Sequence, residues 1–191
     1  MLEIEVKVPF PDLKALRERL PVLGAILVQE RHREVNILYD RRDRELLAGR
    51  RALRLRTTGR KSFVTYKGEP QKSRKYKIRE EFETEVKNVR QFQKILTGLG
   101  YSPVFHYEKF RTVFRVKTLK ICLDETAAGT FVEFEGEREK IARVSKQLGI
   151  SKKDWLKLTY IALLIRAGKG GTIPYSSSFS SPPTTSGSPS S

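Results

Sequence analysis

Three things are scarce in this chain. It has one cysteine, Cys122, so no internal disulfide can form. It has two histidines, His32 and His106, too few for a histidine-built zinc centre. No apolar run reaches membrane-spanning length and no secretory h-region follows Met1, which together predict a cytoplasmic protein with no membrane partner. Cys122 sits in Lys120-Ile121-Cys122-Leu123-Asp124, which reads as a strand with no histidine near it in sequence, so a packed thiol is expected there and not a nucleophile. Acidic residues are also short, 22 against 38 Lys and Arg, leaving a formal net charge of +16. Between Arg41 and Arg79 fifteen basic residues face only Asp43, Glu45 and Glu69. That excess predicts an anionic partner, and charge alone fits nucleic acid, a membrane surface or a small polyphosphate.

What is present suits a folded domain. Hydrophobic residues make up 38% of 191 residues and charged residues 31%, enough apolar surface for one domain with a core. From Gly168 the composition turns to Gly, Ser, Pro and Thr, with nine Ser in the last sixteen residues. The expected organisation is therefore a domain over 1–167 and a disordered tail over 168–191.

The strongest pattern is charge at alternate positions. In Glu3-Ile4-Glu5-Val6-Lys7 the charged residues share one strand face and the β-branched residues the other. The same alternation returns in Arg54 and Arg56 between leucines, in Lys61 to Lys67, in Arg79, Glu81, Glu83 and Glu85, in Lys109, Arg111 and Arg115, in Asp124, and in Glu133 and Glu135. A further strand is expected from Glu34 to Asp40, and Gly59-Arg60 suits a hairpin turn. Between the strands lie amphipathic helices. One is capped by Asp12 and carries Leu13, Leu16, Leu20 and Leu23, with Pro21 shortening its last turn and Gly24 ending it. A second follows Asn88, a third carries Ile141, Val144 and Leu148, and a last one is expected to open at Ser151 and Asp154 and run through Trp155 and Leu163.

Eight strands, seven with one charged face, predict an α+β fold. Helices cover the apolar side, and the charged side lines the interior of a closed eight-stranded antiparallel β-barrel. The lining would hold the acids Glu3, Glu5, Glu81, Glu83, Glu85, Asp124, Glu133 and Glu135 and the bases Lys7, Arg54, Arg56, Lys67, Arg79, Lys109, Arg111 and Arg115. The bases match a polyanion with several phosphates, and the acids would repel it unless a hard cation such as Mg²⁺ or Mn²⁺ stood between. A static network of ion pairs would show the same residue types. A non-catalytic module binding RNA or another polyanion is the competing class, though a phosphate-backbone binder has no reason to gather paired acids.

These residues resemble the CYTH superfamily, the triphosphate tunnel metalloenzymes. The family includes class IV adenylyl cyclases, thiamine triphosphatases and inorganic triphosphatases. Glu3-x-Glu5-x-Lys7 looks like the family signature. Then, in the family's order, come Tyr39-Asp40, Ala52-Leu53-Arg54-Leu55-Arg56, Thr65-Tyr66-Lys67-Gly68, Arg79-Glu80-Glu81 with Glu83, Lys109-x-Arg111, Leu123-Asp124-Glu125 and Phe131-Val132-Glu133-Phe134-Glu135. The resemblance covers about residues 1 to 165 and implies a metal-dependent enzyme in which Glu3, Glu5 and Lys7 are catalytic. By it, Glu3, Glu5, Asp124, Glu133 and Glu135 carry Mg²⁺ or Mn²⁺. Lys7, Arg54, Arg56, Lys67, Arg79, Lys109 and Arg111 hold the triphosphate, and Lys157 reaches it from beside the Thr159-Tyr160 pair. Glu81 and Glu83 are implied tunnel residues without a defined role. The phrases Thr-Tyr-Lys-Gly and Leu-Asp-Glu look most like the class IV adenylyl cyclase branch, whose substrate is ATP. Asn36, by contrast, stands where some cyclases carry an acid, as it does in strands of the triphosphatases, whose substrates are tripolyphosphate or thiamine triphosphate. Relatives in the cyclase branch are usually dimers, so a second copy of the chain is an implied partner.

Overall fold

Alternation of apolar and charged side chains is realised as eight antiparallel strands. The computed structural model describes residues 2–169 and 171–172, and the strands in it are β1 (Leu2–Pro9), β2 (Ile26–Asp40), β3 (Ala52–Thr58), β4 (Lys61–Lys67), β5 (Lys77–Glu85), β6 (Ser102–Val116), β7 (Leu119–Thr126) and β8 (Gly129–Glu135). They neighbour one another in the order β2-β3-β4-β5-β1-β8-β7-β6, and β2 pairs with β6, so the sheet closes into a barrel. At the β3–β4 hairpin Gly59 takes φ +56°, a left-handed value that favours glycine at the first turn position.

Register decides which side chains meet inside. Lys7 lies opposite Glu133 and Glu5 opposite Glu135, Arg111 opposite Asp124, and Lys67 opposite Glu81. A one-residue slip would exchange these charges with the apolar set, so the outer packing holds the inner register. On the outside, Val6, Val8, Ile121, Leu123, Val132 and Phe134 are buried beneath α1 (Leu13–Arg19) and α4 (Arg138–Gln147) through Leu16, Leu20, Ile141 and Val144. Asp12 caps α1, its carboxylate accepting from the Ala15 N–H at 2.9 Å, and a 3₁₀ turn at Pro21–Leu23 ends on Gly24 at φ +74°. The short helix α2 (Glu45–Ala48) follows β2, and the Asp40 carboxylate accepts from the Leu46 and Leu47 N–H groups at 3.0 Å. Asn88 caps α3 (Val89–Gly98), accepting from Gln91 N–H at 3.0 Å, and α3 packs Leu96 and Phe92 on Tyr39 and Leu55.

Two expectations are corrected. β2 begins at Ile26, not Glu34, because Ile26 to Arg31 is exposed on both faces and shows no half-buried alternation, although it still pairs with β6. The last helix does not open at Ser151: there the chain makes a turn, with Asp154 N–H donating to Ser151 C=O at 3.0 Å. Trp155 then enters the core, and Leu156 N–H donates to Lys7 C=O at 2.7 Å, which holds the segment extended. The helix α5 (Tyr160–Arg166) starts later, capped by Thr159, whose hydroxyl accepts from Ala162 N–H at 3.2 Å. Tyr160 and Leu164 of α5 pack against Leu38, Tyr107 and Phe131 and cover one end of the barrel. Beyond α5, β9 (Gly171–Thr172) adds to β6 at Phe105 and His106, within the stretch expected to be tail; residues 173–191 lie outside the described residues.

Candidate active site

The barrel interior holds a cavity of about 180 Å³. Inward positions of β1 bring Glu3, Glu5 and Lys7 to its wall; β3 brings Arg54 and Arg56, β4 Lys67, and β5 Lys77, Arg79, Glu81 and Glu83. β6 adds Lys109 and Arg111, β7 Lys120, and β8 Glu133 and Glu135. Nine cationic side chains line the cavity with six carboxylates, and the buried Glu34 and Asp124 behind them, paired to Arg56, Lys109 and Arg111, bring the local balance to one net positive charge.

Each lining carboxylate is paired with a cation. At the centre, Asp124 is 0% exposed and accepts from Arg111 Nε and Nη2, both at 2.6 Å, from Lys109 Nζ at 3.3 Å and from the Tyr160 hydroxyl. Glu133 accepts from Lys7 Nζ at 3.2 Å and from Arg111 Nη2 at 2.5 Å. Burial opposes its charge, but Lys7, Arg111 and Lys109 outweigh burial and hold the carboxyl well below the usual carboxylate range. Lys7 is the converse: burial pulls the ammonium down, and Glu133, Glu5 and Asp124 together raise it above its ordinary value. Its Nζ also lies 3.9 Å from the centre of the Tyr160 ring, a cation–π contact.

Lys67 Nζ sits between two carboxylates, at 2.8 Å from both Glu3 and Glu81. Burial nevertheless pushes the Glu3 carboxyl up, with Lys67 opposing. Lys77 pairs closely with Glu5, Lys120 with Glu135 at 2.8 Å, and Arg56 with Glu83 at 3.0 Å. Lys77 is the least favoured of these cations: burial lowers it, and of its neighbours Glu5 supports its charge while Lys7, Lys67 and Arg79 oppose it. The Nε atoms of Arg54, Arg56 and Arg79 are buried without a hydrogen-bond partner among the described residues, donor capacity left for a ligand.

The lining carboxylates Glu3, Glu5, Glu81, Glu83, Glu133 and Glu135 fit a divalent metal by donor type, since they offer hard oxygens suited to Mg²⁺ or Mn²⁺. Among the described residues no three His, Cys, Asp or Glu side chains already converge as a metal cage. Instead an ammonium stands in for the cation: the Lys67 Nζ between Glu3 and Glu81 marks where two carboxylates meet one positive charge.

The expected site residues are brought together with four exceptions. Asp124 lies behind the cavity wall, saturated by the four hydrogen bonds it accepts. Lys157 is exposed and donates to Ser73 C=O at 2.6 Å, because the segment ahead of α5 is extended and turns it away from the tunnel. Glu85 and Arg115 are exposed and do not reach the cavity. Sequence reasoning missed Lys77 and Lys120, which share strand parity with Arg79 and Asp124 and lie two and four residues away. It also missed Glu34, buried in contact with Lys109, Arg56 and His32 at 3.5–3.6 Å. Carrying the alternation to the strand ends would have found all three.

A second, apolar cavity of about 530 Å³ adjoins the tunnel at the α5 end. The two share Leu38, Ala52, Arg79, Thr159 and Ile161, and the apolar one continues along Val104, Phe105 and Ile165 with Arg44, Arg50 and Arg51 beside it.

Comparison with known proteins agrees with this architecture. The family model described as the CYTH domain matches residues 1–160. A protein of Methanocaldococcus jannaschii named "Putative adenylate cyclase MJ0240" is 29% identical over 174 residues, spanning 85% of this chain and 98% of its own. A solved structure from Vibrio parahaemolyticus, also described as a "putative adenylate cyclase", superposes with a TM-score of 0.74 at 22% identity, covering 86% of this chain and 98% of that one. HpAC1 from Hippeastrum, a "putative adenylyl cyclase" described as having a dominant triphosphatase activity, superposes with a TM-score of 0.66 at 22% identity over 88% of this chain and 96% of its own.

Proposed function

We propose that this chain, which belongs to the CYTH domain family, is a metal-dependent enzyme acting on the triphosphate of an organic substrate, with conversion of ATP to cyclic AMP and pyrophosphate as its leading reaction. The observation that carries the reading is a cavity walled by nine cations and six carboxylates that shares part of its wall with an apolar one beside α5. A chain of phosphates needs the first, and the organic group attached to it needs the second.

Phosphoryl transfer asks a protein mainly to position the substrate and neutralise its charge. Lys7, Arg54, Arg56, Lys67, Lys109 and Arg111 supply the donors that grip the phosphate oxygens, the arginines as forks. Tyr160 holds Asp124 and lies against Lys7 and Lys109, fixing the angle from which both ammonium groups approach. Glu3, Glu5, Glu133 and Glu135 are the carboxylates that would hold Mg²⁺ or Mn²⁺. A bound ion supplies neutralisation of phosphate charge and stabilisation of the leaving oxygen. In the cyclase reaction the ribose 3′-oxygen forms a bond to the α-phosphorus and loses its proton, and the bond from that phosphorus to the pyrophosphate oxygen breaks.

A second reading, hydrolysis of the terminal phosphate, is favoured by Asn36. It is fully buried on an inward position of β2, where some cyclases carry an acid. HpAC1, described with a dominant triphosphatase activity, is a protein of similar fold for which hydrolysis is the stated reaction.

Product analysis with ATP, tripolyphosphate and thiamine triphosphate, each with Mg²⁺ or Mn²⁺ and beside a Glu3→Gln control, tests the proposal. Cyclic AMP with pyrophosphate supports the cyclase; orthophosphate without cyclic AMP supports the hydrolase. No turnover on any of them, with the control indistinguishable from wild type, would sink both. Ile165→Ala tests the apolar cavity by itself, because Ile165 lines that cavity and not the tunnel: it should raise KM for ATP about tenfold and leave tripolyphosphate unaffected.

A further inference from the structure

Every carboxylate lining the tunnel already has a cationic partner from the protein. A magnesium ion demands oxygens at about 2.0–2.1 Å in near-octahedral geometry, which an ammonium at 2.8 Å from the same oxygens blocks. For a metal to enter between Glu3 and Glu81, Lys67 must leave; for it to reach Glu5, Lys77 must leave. Neither lysine can simply retreat, because both are buried among other cations and each would be stranded without a counter-charge. A phosphate chain is the counter-charge that releases them. With every lining carboxylate already paired to a cation, and the Nε donors of Arg54, Arg56 and Arg79 unused among the described residues, the lining favours a polyanion over a free divalent ion.

We propose that Lys67 and Lys77 are positioning residues that lock the metal-binding carboxylates in the resting tunnel, so that a divalent cation binds only once a polyphosphate has drawn the two ammonium groups away. The inference rests on the metal-dependent reading above and adds an order to it: phosphate first or together with the metal, never metal alone. The coupling is reciprocal, so the metal in turn tightens the polyphosphate by the same factor.

The direct test is Mn²⁺ binding to the protein alone, followed by electron paramagnetic resonance of the free ion. Wild type should bind weakly. Lys67→Met and Lys77→Met should each bind at least about tenfold more tightly, opposite to the loss expected from removing an ordinary site residue. Lys67→Arg, which keeps the charge on Glu3 and Glu81, should restore weak binding. Thermal melting checks that each variant folds, and if Lys67→Met does not, Lys77→Met decides alone. Wild type binding Mn²⁺ as tightly as the methionine variants would overturn the lock. If wild type also turns over triphosphates, the enzymatic reading survives that failure. Tight Mn²⁺ binding confined to the methionine variants, with no turnover on any triphosphate, would keep the lock and remove the enzyme.

Discussion

The two faces of the same strands obey different rules. On β8, Val132 and Phe134 face outward and are fully buried under helices, while Glu133 between them faces inward among Lys7, Arg111 and Tyr160. The outer face is held by non-directional burial, in which any well-shaped apolar residue can serve. The inner face is held by paired charges, where desolvation consumes most of what attraction returns, so the lattice stabilises little and is justified by what it binds. One backbone thus carries two nearly separable tasks, and substitutions on the two faces should report on different ones.

Phe134→Ala should have the largest effect, lowering unfolding free energy by about 3–5 kcal/mol in urea titrations, with turnover per folded molecule kept within about twofold. Loss of activity without loss of stability would break the comparison. Glu133→Gln, one residue away, should lower turnover by at least about a hundredfold while leaving tripolyphosphate affinity unchanged or tighter, because it removes a negative charge from a phosphate site. Equal losses of turnover and phosphate affinity would show that the glutamate orders the binding groups instead. The smallest effect is in acid. Glu133 and Glu34 both have carboxyls held below the usual range, after burial is overcome, by Lys7 and Arg111 in one case and Lys109 and Arg111 in the other. Their contribution is present above the unfolded carboxylate range near pH 4.5 and is lost as pH falls through their depressed folded values. Urea midpoints should therefore decline below that pH in wild type and decline less in Glu133→Gln, whereas Phe134→Ala should shift the whole profile down without changing its slope.

Much of this division was legible in the sequence. Glu3-Ile4-Glu5-Val6-Lys7 assigns its own faces, because a period of two admits one arrangement once the apolar residues are buried. The helix starts at Asp12 and Asn88 were legible for the same local reason, a side-chain oxygen able to accept from an N–H three residues on. What could not be read depends on distant contacts. Ser151 and Asp154 have the pattern of a helix cap, but the hydrogen bond from Leu156 to Lys7 overrides it and carries Lys157 out of the site. Asp124 fits the alternation, yet nothing local reveals that Arg111, Lys109 and Tyr160 converge on it and withdraw it behind the wall. Lys77 and Lys120 were legible by strand parity with Arg79 and Asp124, because the alternation runs on to the ends of β5 and β7.

The place of β1 between β5 and β8 also bears on how the chain assembles. β1 has no neighbour in the sheet until Lys77–Glu85 has been made, and its second flank stays open until Gly129–Glu135 follows. Its carbonyl at Lys7 waits longer still, for Leu156. Contacts across such spans make folding slow relative to helical proteins of this size, since long loops must close before they are rewarded. The signature strand is made well before its partners and stays incomplete until Leu156 arrives, and a chain arrested before α5 would expose Lys7 and its neighbours to any polyanion in reach.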